Sequence, residues 1–291
     1  MESSCPLSRR GLLASLSALP VATPFQVVAS FSILADMVRH VAGDLMTVTS
    51  LVPPDTDAHT WQPTPSDSRT LSRASVLGEN GLGLEGWLAR LGEAAGFHGK
   101  RITASAGVVP RRLGAGLDPH AWQNPRNAIL YARDIAQGLA ASDPPHAEIY
   151  RANAAVFVSN IEQTDAWIAS RFDPIPPAAR RIITTHDAFA YYGARYGISF
   201  LAAEGLSTDA EPSAKAIGAL IAQIRRENIR TVFLENMTDP RLARMLAREA
   251  GAHLAGPLYS DALSGPNGPA PNYLSMLRYN TEQFERAMNP V

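Results

Sequence analysis

Pro144-Pro145-His146-Ala147-Glu148-Ile149-Tyr150-Arg151-Ala152-Asn153-Ala154-Ala155-Val156-Phe157-Val158-Ser159-Asn160-Ile161-Glu162-Gln163-Thr164-Asp165-Ala166-Trp167-Ile168-Ala169-Ser170-Arg171 reads as one unusually long helix, with Ile149, Ala152, Val156, Ile161 and Trp167 among its apolar positions. It ends at Asp173-Pro174-Ile175-Pro176-Pro177, which cannot continue a helix. On its N-terminal side, apolar β-branched runs alternate with helical patterns. Gln26-Val27-Val28-Ala29-Ser30 predicts a strand, residues 31–42 a helix stopped by Gly43, and residues 46–52 a strand halted by Pro53-Pro54. A helix over 66–74, strands at 76–78 and 101–103 and a helix over 84–95 continue the alternation, and Asn124-Pro125 opens another helix with Asn at the cap. On the C-terminal side, strands are expected at 181–185, 198–202, 231–235 and 252–255. Helices lie between them, one closed by Gly197, one over 212–227 behind Glu211, and one from Asp239-Pro240 to Gly251; a last helix spans 272–288. Such alternation indicates parallel sheet. The expected fold is α/β: two lobes with mainly parallel sheets, residues 24–143 and 174–291, joined by one long rigid α-helix over 144–173.

Composition narrows the function. Of 291 residues, 46% are hydrophobic and 18% charged, a globular balance. The 26 Lys and Arg against 27 Asp and Glu leave no basic footprint for nucleic acid. The one cysteine, Cys5, falls in a segment that reads as an export signal over 1–23: Ser8-Arg9-Arg10-Gly11-Leu12-Leu13 places paired arginines before a short apolar run. That order resembles a twin-arginine signal. Cys5 precedes the apolar run, so no lipid anchor is expected, and a chain trimmed after the signal holds no thiolate for a disulfide, a metal or nucleophilic catalysis. Any metal site must use His, Asp and Glu.

In open α/β sheets ligands bind beyond the carboxyl ends of strands. Four candidate donors occupy such places: His59 in Pro53-Pro54-Asp55-Thr56-Asp57-Ala58-His59-Thr60-Trp61, His120 in Asp118-Pro119-His120-Ala121-Trp122, His186 directly after the 181–185 strand, and Asp261 after the last strand. Two come from each lobe. His59 and His120 are each followed by an aromatic two residues on, and Trp61, Trp122, Phe189 and Tyr191 are expected to wall the site. His40, His98, His146 and His253 sit in a helix, a turn, a helix start and a strand, and are read as structural.

The stretches Asp57-Ala58-His59-Thr60-Trp61-Gln62-Pro63-Thr64-Pro65-Ser66-Asp67, Asp118-Pro119-His120-Ala121-Trp122, Thr185-His186-Asp187-Ala188-Phe189-Ala190-Tyr191-Tyr192 and Glu211-Pro212-Ser213 resemble signature segments of the zinc- and manganese-binding solute-binding proteins of bacterial metal ABC transporters. The similarity runs from about residue 26 to the C-terminus. It implies two α/β lobes bridged by a long helix, and metal ligands at His59, His120, His186 and Asp261 in the interlobe cleft. It implies a monomeric periplasmic protein that hands its ion to a membrane permease driven by a cytoplasmic ATPase, with room for a periplasmic metallochaperone as a loading partner. The long His- and Asp-rich loop of many zinc-specific members is missing between the first two ligands, so capture rests on the main site.

Three imidazoles and a carboxylate suit Zn2+ as the transported ion. Manganese binders of this family usually place Glu at the position of His186, which argues for zinc. Mn2+ remains open if Asp261 binds through both oxygens. With Asp261 bound, the site has no open position for a catalytic water, and neither His-Glu-x-x-His nor Gly-x-Ser-x-Gly occurs. A metal binder with no catalytic residues is expected, not an enzyme. A zinc hydrolase using Glu204 or Glu235 as base and an adhesin-like surface protein are the weaker alternatives.

Overall fold

The structure is a computed structural model that describes residues 25–113, 116–205, 208–209 and 212–289. The expected export signal and the helix-flanking Glu211 lie outside the described residues.

In the first lobe, β1 (Gln26–Phe31), α1 (Ser32–Ala42), β2 (Thr47–Val52), α2 (Pro65–Ser72), β3 (Val76–Glu79), α3 (Leu88–Ala95) and β4 (Lys100–Thr103) form a parallel sheet of order β2-β1-β3-β4 with its crossover helices. Val27, Val28, Ala29 and Phe31 are buried, as a central strand covered on both faces requires. A short antiparallel hairpin that the apolar pattern did not reveal, β5 (Arg112–Leu113) and β6 (Gly116–Leu117), follows. Next comes α4 (Pro125–Ser142), capped by Asn124, whose Oδ1 accepts from the Arg126 amide at 3.0 Å.

The linker is α5 (Ala147–Phe172), 26 residues long and preceded by a 3-10 turn at Pro144–His146. Its buried face is Tyr150, Ala154, Phe157, Ile161, Thr164, Ile168 and Phe172, recurring every three or four residues as one helical stripe does. Of the apolar residues singled out in the sequence, only Ile161 belongs to this stripe; Val156 is 64% and Ile149 44% exposed. In a helix packed along its whole length against α4, α1 and a C-terminal helix, the neighbours select the stripe.

In the second lobe, β7 (Arg181–Thr184), α6 (Ala190–Tyr196), β8 (Ser199–Ala202), α7 (Ala214–Arg226), β9 (Thr231–Glu235), α8 (Pro240–Ala250) and β10 (His253–Leu258) build a parallel sheet of order β10-β9-β7-β8. The last helix, α9 (Tyr273–Met288), packs on β7 and β10 of this lobe and reaches across to α5 and α1. One apolar core therefore runs from Val27 and Leu34 through Phe157 to Phe189, Tyr192 and Phe284, so that the lobes share it. A smaller core of Ile183, Leu220, Ile224, Val232, Ala243, Leu246 and Ala247 belongs to the second lobe alone. The two lobes are therefore joined by close packing across their junction. Among the described residues no helix is long and apolar enough to cross a membrane.

Phe157 is 1% exposed, stacks on His40 at 4.3 Å and lies edge-on to Tyr273. Phe157→Ala is expected to lower stability by about 3–5 kcal/mol, whereas Val156→Ala one residue away should change it by less than about 0.5 kcal/mol. Urea unfolding of the two variants checks which face of α5 holds the lobes together.

Candidate metal centre

Both histidines of the first lobe are set by the same local device. In Asp57-Ala58-His59 the carboxylate of Asp57 accepts from the His59 amide at 2.8 Å, and in Asp118-Pro119-His120 that of Asp118 accepts from the His120 amide at 3.0 Å. These aspartate turns fix the loops beyond β2 and β4 without secondary structure. The loop bearing His59 is then closed by a reciprocal cap at the start of α2, where Asp67 accepts from the Thr64 amide at 2.7 Å and Thr64 Oγ1 accepts from the Asp67 amide. Asp118 also faces His120 Nδ1 at 2.8 Å, which turns the ring so that Nε2 points inward.

The second lobe fixes its donors through long-range contacts. His186 begins the turn after β7, and Glu235 at the end of neighbouring β9 accepts from the Thr185 and His186 amides at 3.0 and 3.1 Å. The other oxygen of Glu235 lies 2.7 Å from His186 Nδ1. Asp261 follows β10, and the preceding carbonyl of Ser260 accepts from Trp122 Nε1 and Gln123 Nε2 of the first lobe at 2.9 and 2.7 Å.

These supports bring all four side chains together between the lobes, with one potential ligand atom from each lying within 4.8 Å of the others. His186 Nε2 is 3.0 Å and His59 Nε2 3.4 Å from Asp261 Oδ2, His120 Nε2 is 3.5 Å from Asp261 Oδ1, and the Nε2 atoms of His59 and His120 are 3.2 Å apart. An ion about 2.0–2.2 Å from four donors sets tetrahedral edges of about 3.3–3.6 Å, near these four spacings, while the whole donor set lies within 4.8 Å. His120, His186 and Asp261 are fully buried, and His59 is 9% exposed. Neither Asp261 oxygen nor His186 Nε2 has a hydrogen bond of good geometry within the protein, so buried polar atoms face one another around a common point, as a cation would satisfy.

Electrostatics point the same way. Burial disfavours charge on His186, but Glu235 and Asp261 outweigh it and raise the imidazole pKa well above its usual value. Burial would raise Asp261, yet His186 and His120 outweigh it and hold the carboxyl well below its usual range; Glu235 is lowered, against its burial, by His186. These shifts favour a charged His186 between two carboxylates, and a cation held at this point would compete with that proton.

The aromatics divide. Trp122 stands edge-on to His120 at 5.4 Å, and Trp61 lines a cavity of about 780 Å³ beside His59. Tyr191 spans the lobes, its hydroxyl donating to the Asp118 carbonyl at 3.1 Å and accepting from the Arg111 amide at 2.7 Å. Phe189 turns away into an aromatic cluster with Phe200 and Phe284. Sequence reasoning missed the supporting acids. Glu235, considered in the sequence as a possible base, is 1% exposed behind His186, and Asp57 and Asp118 were not singled out although each stands two residues before a histidine, a repeated Asp-x-His spacing that could have found them.

The family model described as zinc-uptake complex component A, periplasmic (ZnuA) matches residues 27–287. The chain belongs to that family. It is similar to the manganese-binding lipoprotein MntA of Halalkalibacterium halodurans, 31% identical with 89% of this chain and 87% of that protein covered. It is also similar to the iron-binding protein YfeA of Yersinia pestis, 31% identical with 91% and 86% covered. The Mn-bound periplasmic metal binding protein from Candidatus Liberibacter asiaticus superposes with a TM-score of 0.82 at 30% identity, covering 91% of this chain and all of that one. This ZnuA-family protein is thus the metal-binding component of an ABC transporter, periplasmic or surface-exposed, working with a membrane permease and its ATPase. It is a substrate-binding protein and not an enzyme.

Two outcomes follow for metal binding by this ZnuA-family chain. If His186 ligates the ion it must be neutral, while Glu235 and Asp261 favour its charged form, so affinity is expected to fall with decreasing pH by on the order of tenfold per pH unit for each proton displaced. Calorimetry in buffers of different ionisation enthalpy should record that proton release near neutrality. Glu235→Gln, which keeps the shape but removes the charge behind His186, should weaken metal affinity by about 10–100-fold while retaining one ion per chain.

Proposed function

We propose that this protein captures one Zn2+ between His59, His120, His186 and Asp261 and delivers it to the permease for high-affinity zinc uptake. The observation that carries this reading is the donor set: three imidazole nitrogens and one carboxylate, buried and oriented toward one point from both lobes. Nitrogen-rich four-coordinate sites suit zinc, and zinc outcompetes manganese at a shared site in the Irving–Williams order. All four donors come from one chain, so a monomer suffices for capture. The paired Arg9-Arg10 before an apolar run support export by the twin-arginine route.

Manganese is the second reading, and one observation favours it. Both oxygens of Asp261 face the centre, Oδ1 toward His120 and Oδ2 toward His59 and His186. A bidentate Asp261 would raise the coordination number toward that of a harder cation. Relatives named for manganese and iron share about a third of the sequence.

Chelator-stripped protein offered zinc and manganese in equal amounts, with bound ions counted by native mass spectrometry, separates the readings. The expected result is one zinc per chain, lost or weakened by more than about tenfold in His186→Ala. Manganese retained against equimolar zinc would replace the cargo and leave the transport role standing. An absence of stoichiometric metal would remove the four-donor site.

A further inference from the structure

The loop that carries His59 also reaches across the cleft through a residue that binds nothing in the site. Asp55, four residues before His59, lies at φ +54°. That left-handed conformation is uncommon outside glycine and better tolerated by Asp than by most residues. It aims both ends of Asp55 at the second lobe. The Asp55 amide donates to the Leu263 carbonyl at 2.9 Å, its Oδ1 accepts from Asn236 Nδ2 at 2.9 Å, and its Oδ2 accepts from the Gly265 amide at 3.1 Å. Asn236 follows Glu235, the support of His186, and Leu263 and Gly265 follow Asp261. One residue thus ties the His59 loop to the two segments that hold the donors of the other lobe.

The two edges of the cleft differ in how they are held. On the side of His120, the lobes are joined by buried bonds from Trp122 and Gln123 to Ser260, by the Tyr273 amide donating to Asp36 at 2.8 Å, and by the shared core. On the side of His59, the two carboxylate contacts of Asp55 are exposed, although the buried Leu263 amide beside them also donates to Ser32 Oγ of the first lobe at 3.0 Å; His59 is the one proposed ligand with measurable exposure, opening on the cavity lined by Trp61. A small tilt about the buried edge would open the Asp55 edge first. It would draw His59 away from Asp261 while His120, tied through Trp122 and Gln123 to the Asp261 segment, stays.

We infer that Asp55 is an interlobe clasp that sets the rate at which the bound metal leaves, with His59 the first ligand to part. The inference rests on the four-donor site proposed above. Its test uses the full chain loaded with zinc and mixed with excess chelator in a stopped-flow instrument, together with deuterium exchange on the metal-free protein. Asp55→Gly keeps the left-handed backbone and removes the carboxylate. It should still hold one zinc but release it at least about tenfold faster, the factor expected for losing a charge-assisted hydrogen bond. Asp55→Asn, which tolerates the same backbone and keeps one carbonyl acceptor, should fall between. In metal-free Asp55→Gly, exchange should quicken over 53–60 and 258–268 and stay unchanged in α9. Wild-type release in Asp55→Gly, unchanged exchange over 53–60 and 258–268, or loosening that extends to α9 would each overturn the clasp. A wild-type chain that fails to hold zinc would fault the four-donor reading, and the exchange measurement would still decide the clasp.

Discussion

The carboxylate of Asp261 is the constraint on which the rest of the architecture depends. A charge with no solvent exposure is strongly disfavoured unless opposite charge surrounds it. Here its two oxygens face three imidazoles, two of them from the other lobe. The lobes must therefore be held in register. A core that passes from β1 through α5 and α9 into the second lobe supplies that registration, which two domains meeting across a polar seam would not. The long α5 contributes by being packed along one whole face, so that it fixes the distance between the sheets.

Within that frame the two lobes support their donors differently. The first lobe works locally: Asp57 and Asp118 each stabilise the turn two residues ahead, and Asp118 also orients the ring it precedes. The second lobe works through its sheet. Glu235 on β9 reaches under the end of β7 to hold the backbone and ring of His186, a contact that exists only because the strands are adjacent. Glu235 and Asp261 both favour the charged form of His186, and both belong to the second lobe.

Much of this was legible in the chain. Strand and helix order followed from apolar alternation and from the stops at Gly43, Pro53, Gly197 and Gly251, and the four side chains that converge were those found at strand ends. The illegible parts share a cause. The packed stripe of α5, the burial of Glu235, the β5–β6 hairpin and the turning of Phe189 away from the cleft depend on partners far off in sequence. Local spacing identifies a helix but not which neighbours it meets, and an acid at a strand end looks alike whether it faces water or a histidine ring.

The same asymmetry bears on how a site this enclosed can give up its ion. Three of the four side chains are fully buried, and their supports lie in the shared core or beside it, so none can leave without disturbing packing. His59 stands on a loop whose interlobe side-chain contacts are polar, two of them exposed at Asp55 and one, the hydroxyl of Thr208 donating to Asp57 at 2.6 Å, half-buried. Polar bonds at a wet edge exchange for water at little net cost, whereas a buried apolar contact has no such substitute. A partner that loosens the lobes by a small tilt would therefore weaken the edge bearing His59 before any other. The proposed release order rests on that contrast between a wetter seam and a dry one.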